Sequence, residues 1–200
     1  MSELKVNKIS PATGTAFTLG DSGDTFTVPS GATITNSGTA TGFGGGGKVK
    51  QMVYNMVTGV VTGTGVIPYD NTIPQNTEGL EMMTQAITPT SASSLLKIEV
   101  VVQGSCSSHA QFQIALFQDS TANALAVSRI RADAQQAVHL NNNNMMHVMV
   151  SGTTSATTFK VRLGVSSGVV WLNATSANTG GLFGGKCNSG IVVTEYETGI

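Results

Sequence analysis

Phe159-Lys160-Val161-Arg162-Leu163-Gly164-Val165 decides the fold. Apolar side chains fall at every second position, with Lys160 and Arg162 between them, and a period of two marks a strand with one buried and one solvated face. The same alternation runs through Lys97-Ile98-Glu99-Val100-Val101-Val102, where Ile98, Val100 and Val102 share a face, and through Phe112, Ile114 and Leu116. Ile191-Val192-Val193-Thr194-Glu195-Tyr196 supplies a last strand. Asp119-Ser120-Thr121-Ala122-Asn123 and Ser151-Gly152-Thr153-Thr154 are turn clusters at the spacing of a sandwich. Only residues 128–139 offer a short helix, so the region from Lys48 onward is expected to be an all-β, antiparallel jelly-roll-like sandwich.

Composition agrees. Charged residues make up 10% of the 200-residue chain, against roughly a quarter in an average soluble domain, which leaves little material for solvated helix faces. Ten basic and eleven acidic residues are scattered singly, so no patch is dense enough to track phosphates, and no nucleic-acid partner is expected. No apolar run approaches a membrane span of about 18 residues, and the start has no secretory h-region, so no membrane insertion is expected. Cys106 and Cys187 are too far apart in sequence for a CxxC motif and read as buried free thiols, although a fold that brought them together could pair them.

Gly44-Gly45-Gly46-Gly47 divides the chain as a hinge, with 1–43 before it and 48–200 after it. Residues 1–43 hold strand-like pieces, with Phe17/Leu19 and Phe26/Val28 spaced by two, separated by the turns Asp21-Ser22-Gly23 and Pro29-Ser30-Gly31. These pieces carry too few large apolar side chains to offset an ordering cost of roughly 1–2 kcal/mol per residue, so the segment cannot fold alone. Composition alone leaves two readings, a disordered low-complexity tail, or three copies wound about one axis that bury the apolar faces and pair the strand edges as a trimeric β-prism. Leu4, Val6 and Ile9 lie along an extended segment without partners of its own, and suit capture by another protein through strand addition.

The run Leu4-Lys5-Val6-Asn7-Lys8-Ile9-Ser10-Pro11, the turn Leu19-Gly20-Asp21-Ser22-Gly23-Asp24 and the run Val28-Pro29-Ser30-Gly31-Ala32-Thr33-Ile34 resemble the N-termini of structural proteins of tailed bacteriophages, especially those of marine cyanobacteria. Ile87-Thr88-Pro89-Thr90-Ser91-Ala92-Ser93-Ser94 resembles a phrase in the C-terminal domains of the same group. The resemblance implies a virion protein assembled in the host cytoplasm. It also implies a β-prism stalk and a homotrimeric knob similar in shape to tumour-necrosis-factor or C1q heads. Tail fibres, head fibres and capsid or tail decoration proteins all share it. The implied partners are other virion proteins (capsid, portal, tail or baseplate) and, for a fibre, a glycan of the host surface.

No cofactor is implied, and enzymatic chemistry finds little support. A polysaccharide-degrading spike needs two carboxylates in a cleft. Glu195 and Glu197 would lie about 7 Å apart on an extended strand, but a solvated edge or a salt bridge explains them more simply. His109, His139 and His147 lack metal-ligand spacing, though a three-fold axis could gather one from each chain. Trp171 with Asn173 is the candidate glycan contact, a ring to stack on a sugar beside an amide for its hydroxyls, against plain packing in the core or between subunits. Asn141-Asn142-Asn143-Asn144 reads as a polar loop entering a strand at Met145-Met146.

Overall fold

The computed structural model describes residues 11, 13–14, 16, 18, 20–33, 35, 48–107, 111–131 and 139–197. The chain forms two units, Met1–Phe43 and Gly44–Ile200. In the first, both expected turns are present. Asp24 N donates to Asp21 O over 3.0 Å and Ala32 N to Pro29 O over 3.1 Å, with Gly23 and Gly31 at φ of 99° and 86°. The strand expected over Asp24–Val28 makes no ladder, and Phe26 is 68% exposed. No described residue offers them a neighbouring edge to bond.

The second unit is a sandwich of two antiparallel sheets. In the first sheet β1 (Val49–Val57) pairs with β10 (Ser189–Tyr196), and β10 pairs with β4 (Leu95–Cys106). Strand β7 (Asn141–Val150) also pairs with β4, from Leu95 to Gly104. The short β9 (Val170–Leu172) takes up β4 beyond β10, at Gly104–Cys106, and carries β2 (Val61–Gly63). The second sheet runs β3 (Leu80–Ile87), β8 (Thr157–Val165), β5 (Gln111–Gln118) and β6 (Ala126–Arg131). This is the all-β, jelly-roll-like sandwich expected from the alternation.

The alternating positions meet in one core. Ile98, Val100 and Val102 face Phe112, Ile114, Leu116, Phe159, Val161 and Leu163, joined by Ile191 and Val193. Strand β5 is also buried on its other side, where Ile67 from the β2–β3 loop packs on Ala115 and Phe117. Lys160 and Arg162 point away from the core, as their spacing required, but Arg162 is only partly solvated. Its Nε donates to Glu78 O over 2.6 Å and its Nη1 lies 3.3 Å from Glu81 Oε2.

Two local expectations fail. Ser128–Arg131, read as the start of a short helix, belongs to β6, because Ile130 pairs with Phe112 and packs inward while Arg129 and Arg131 stay exposed. Residues 132–138 lie outside the described set. The four asparagines 141–144, read as a loop, are the first four residues of β7. Asn143 is buried there: Nδ2 donates to Phe112 O over 3.2 Å and Oδ1 accepts from Ser128 Oγ over 2.7 Å, tying the two sheets at their corner. An amide at that position replaces backbone bonds that neither sheet supplies.

Candidate functional site

The outer face of the first sheet carries several exposed apolar side chains. Register puts Met146 beside Glu99 and Asn144 beside Val101 on the β4–β7 pair, and Tyr54 beside Val192 and Met52 beside Thr194 on the β1–β10 pair. Directly paired residues share a face. Met52, Tyr54, Met56, Val101, Met146, Val148 and Val150 therefore project together, and Met146 and Tyr54 are 62% and 61% exposed. The inward positions of the same strands already fill the core, so alternation leaves these apolar residues nowhere to go but outward. Lys97 and Glu99 lie in the middle of the face as a 2.8 Å ion pair. Glu99 raises the lysine's proton affinity above its ordinary value and cancels its charge locally.

Glu195 is not available for catalysis. It occupies an inward position of β10 and is fully buried. Burial alone would raise its pKa, but bonds from Gln51 Nε2 at 2.6 Å and Thr90 Oγ1 at 2.7 Å, from Ser94 and from Thr90 N at 2.8 Å outweigh it and hold the carboxyl at about 2. Glu197 forms an exposed 3.4 Å ion pair with Lys50. The two acids therefore have separate structural roles and line no common cleft. No cluster of three or more His, Cys, Asp or Glu side chains capable of holding a metal occurs among the described residues. His147 is paired with Ile98 on the inward side of β7, and His109 is outside the described residues.

Trp171 and Asn173 divide. Trp171 is half-buried in β9, paired with Thr62 and Ser105. Asn173 is 1% exposed at a left-handed φ of 58°, a conformation asparagine tolerates better than most residues. Its Nδ2 donates to Val57 O over 2.7 Å and to Gly59 O over 3.0 Å, and its Oδ1 accepts from Ser189 Oγ over 2.8 Å. A carboxamide committed in this way has no atom to offer a sugar, so Asn173 is a packing residue of the sheet. Leu4, Val6 and Ile9, read as the virion anchor, lie outside the described residues, as does the hinge at 44–47. Cys106 and Cys187 are both buried and form no disulfide with each other.

No protein-family model matches the chain, and no curated protein matches it in sequence. Solved structures do resemble it in shape. The Eiger TNF of S. frugiperda is 9% identical with a TM-score of 0.41, over 72% of this chain and 92% of that one. Dimeric latent PorU of Porphyromonas gingivalis is 10% identical with a TM-score of 0.35, over 78% of this chain and 14% of that one. The VP2 subviral particle of infectious bursal disease virus is 12% identical with a TM-score of 0.30, over 76% of this chain and 39% of that one. No sequence family supports the phage-fibre resemblance.

Proposed function

We propose that the protein is a non-enzymatic structural component of a phage particle, a homotrimer whose N-terminal unit anchors it to the virion and whose sandwich forms a distal knob for attachment to the host surface. One observation carries the oligomeric part, the apolar outer face of the β1–β10–β4–β7 sheet. Monomeric soluble proteins seldom leave a contiguous apolar patch of more than a few hundred Å² in water. A face of methionine, valine and tyrosine, with the central charges of Lys97 and Glu99 paired to each other, is suited to burial against further copies of the chain. The N-terminal unit supports the same reading, since Phe26 and Val28 are exposed and the residues around them make no ladder within one chain. Three chains would give those edges partners as a β-prism.

Placement on the particle decides between a fibre and a decoration protein. Gold-labelled antibody against the sandwich should mark projections from the particle in electron micrographs, and the same antibody should block adsorption to host cells. Label spread over the capsid shell, with adsorption unaffected, would favour decoration. Particles carrying no label would remove the virion assignment altogether.

A further inference from the structure

The β2–β3 loop, residues 64–79, is bonded down on the outer side of the second sheet. Ala124 N donates to Pro74 O over 3.0 Å and Asn76 N to Ala122 O over 2.8 Å, while Ile67 is sealed against Ala115 and Phe117. Gly164 makes the close approach possible, since a Cβ there would come within 2.7 Å of Ile67 N. Between these anchors the loop leaves a cleft of about 460 Å³ against β5 and β6, well within the usual range of small-molecule sites, about 300–1,000 Å³.

Four side chains give the cleft its chemistry. Tyr69 is 59% exposed, and the Arg129 guanidinium lies 4.8 Å from its ring centroid. Arg129 also donates to Gln111 Oε1. Asp70 Oδ1 accepts from Thr72 Oγ1 at 2.6 Å and Thr72 N at 2.7 Å. These bonds keep the carboxyl below its ordinary pKa, while Oδ2 takes no hydrogen bond among the described residues. Gln113 lines the cleft at 3% exposure, and its Oε1 has no hydrogen-bond partner among the described residues.

We propose that this cleft, bounded by Tyr69, Asp70, Gln113 and Arg129, binds a pyranose ring of a surface glycan. The assignment rests on the attachment reading above and supplies the chemistry of that contact. Buried carboxamides are ordinarily bonded, so Gln113, which lines the cleft with its Oε1 sealed and unmet, gains a partner if the side chain turns that oxygen toward a ligand's polar group. A hydroxyl both donates and accepts, and therefore meets Gln113 whichever way its amide is turned. A sugar ring adds C–H faces that pack on Tyr69, and hydroxyls at its rim that donate to Asp70 and accept from Arg129. A purely apolar ligand would leave Gln113 and Asp70 unmet. A phosphate or carboxylate would face the Asp70 charge, and an ammonium the Arg129 charge.

Titrating the full chain with methyl glycosides of glucose, galactose, mannose and N-acetylglucosamine at millimolar concentration, followed by NMR, tests the assignment. At least one should shift the Gln113 side-chain amide and the Tyr69 ring signals, and Tyr69→Ala should weaken that binding about tenfold, as expected for a lost stacking contact. Asp70→Asn should weaken it as well, and Trp171→Ala should not. Both Tyr69 and Asp70 are exposed loop residues, and the unshifted core signals of each variant report that it is folded. No shift at Gln113 with any glycoside, the result a peptide-binding cleft would give, overturns the proposal. So does a response that survives Tyr69→Ala with Asp70→Asn, or one that depends on Trp171. Phage adsorption separates the two claims. If particles lacking the protein fail to adsorb while Tyr69→Ala particles adsorb normally, attachment stands and the cleft is excluded. If particles lacking the protein adsorb normally, the attachment reading fails whatever the cleft binds.

Discussion

Ser189 Oγ donates to Asn173 Oδ1 over 2.8 Å at the point where β4 passes from β10 to β9 as its neighbour. The pair closes the break between them. Asn173 N donates to Gln103 O and Gln103 N donates to Ser189 Oγ, so β4 stays bonded at the step that neither strand's ladder reaches. Asn173 Nδ2 then holds the ends of β1 and of the turn after it, through Val57 O and Gly59 O.

Asn173→Ala is accordingly expected to destabilise the sandwich by about 2–3 kcal/mol, from unmet buried groups and a left-handed backbone that alanine resists. Asn173→Gly should cost about 1 kcal/mol less, because glycine accepts the positive φ but restores none of the bonds. Urea denaturation of the two variants measures both quantities. An Asn173→Ala protein as stable as the parent would mean the carboxamide is free, as a sugar-contacting residue would be.

Acid stability should report on Glu195. Its carboxyl titrates at about 2 in the folded chain against an ordinary value of 4.5, so the unfolded chain binds the proton more tightly. The stabilisation is fully present above pH 4.5 and is lost as pH falls towards 2, a difference on the order of 3 kcal/mol. Glu195→Gln should flatten stability across that window and lower it at neutral pH. Thermal melts of the two proteins between pH 2 and 5 check this, and parallel profiles would show that Glu195 does not carry the effect.

The strands of the core were legible because their signal is local. Phe159, Val161, Leu163 and Val165 declare a face without reference to any other segment. Residues whose role depends on distant partners were not. Asn143 reads as loop composition until Phe112 O and Ser128 O are beside it, and Asn173 reads as a surface amide until Val57 and Ser189 are. The cover over β5 had a faint signal in the uncharged run Phe112-Gln113-Ile114-Ala115-Leu116-Phe117, since a strand buried on both sides carries no charged face. Nothing in the composition of residues 64–79 identifies which sheet they cover or that they leave a cleft over Gln113.

Removing residues 1–47 should separate folding from attachment to the particle. The unit Gly44–Ile200 has its own core, so a chain beginning at Lys48 is expected to be soluble and β-rich, with a melting temperature within a few degrees of the parent, equivalent to about 1 kcal/mol or less. If Leu4, Val6 and Ile9 serve as the anchor, this chain should be missing from particles assembled in its presence alone. Normal incorporation would place the docking surface in the sandwich. Loss of melting temperature together with incorporation would show that the N-terminal residues stabilise the trimer instead.

The mass of the full chain in solution tests self-association through the β1–β10–β4–β7 face most directly. Sedimentation equilibrium at micromolar concentration should return three times the chain mass of 20.5 kDa. Met146→Lys with Val148→Glu should shift the protein to monomer without unfolding it, because both side chains are exposed within one chain. A parent protein that sediments as a 20.5 kDa monomer would contradict the account. So would a trimer indifferent to charges placed at Met146 and Val148.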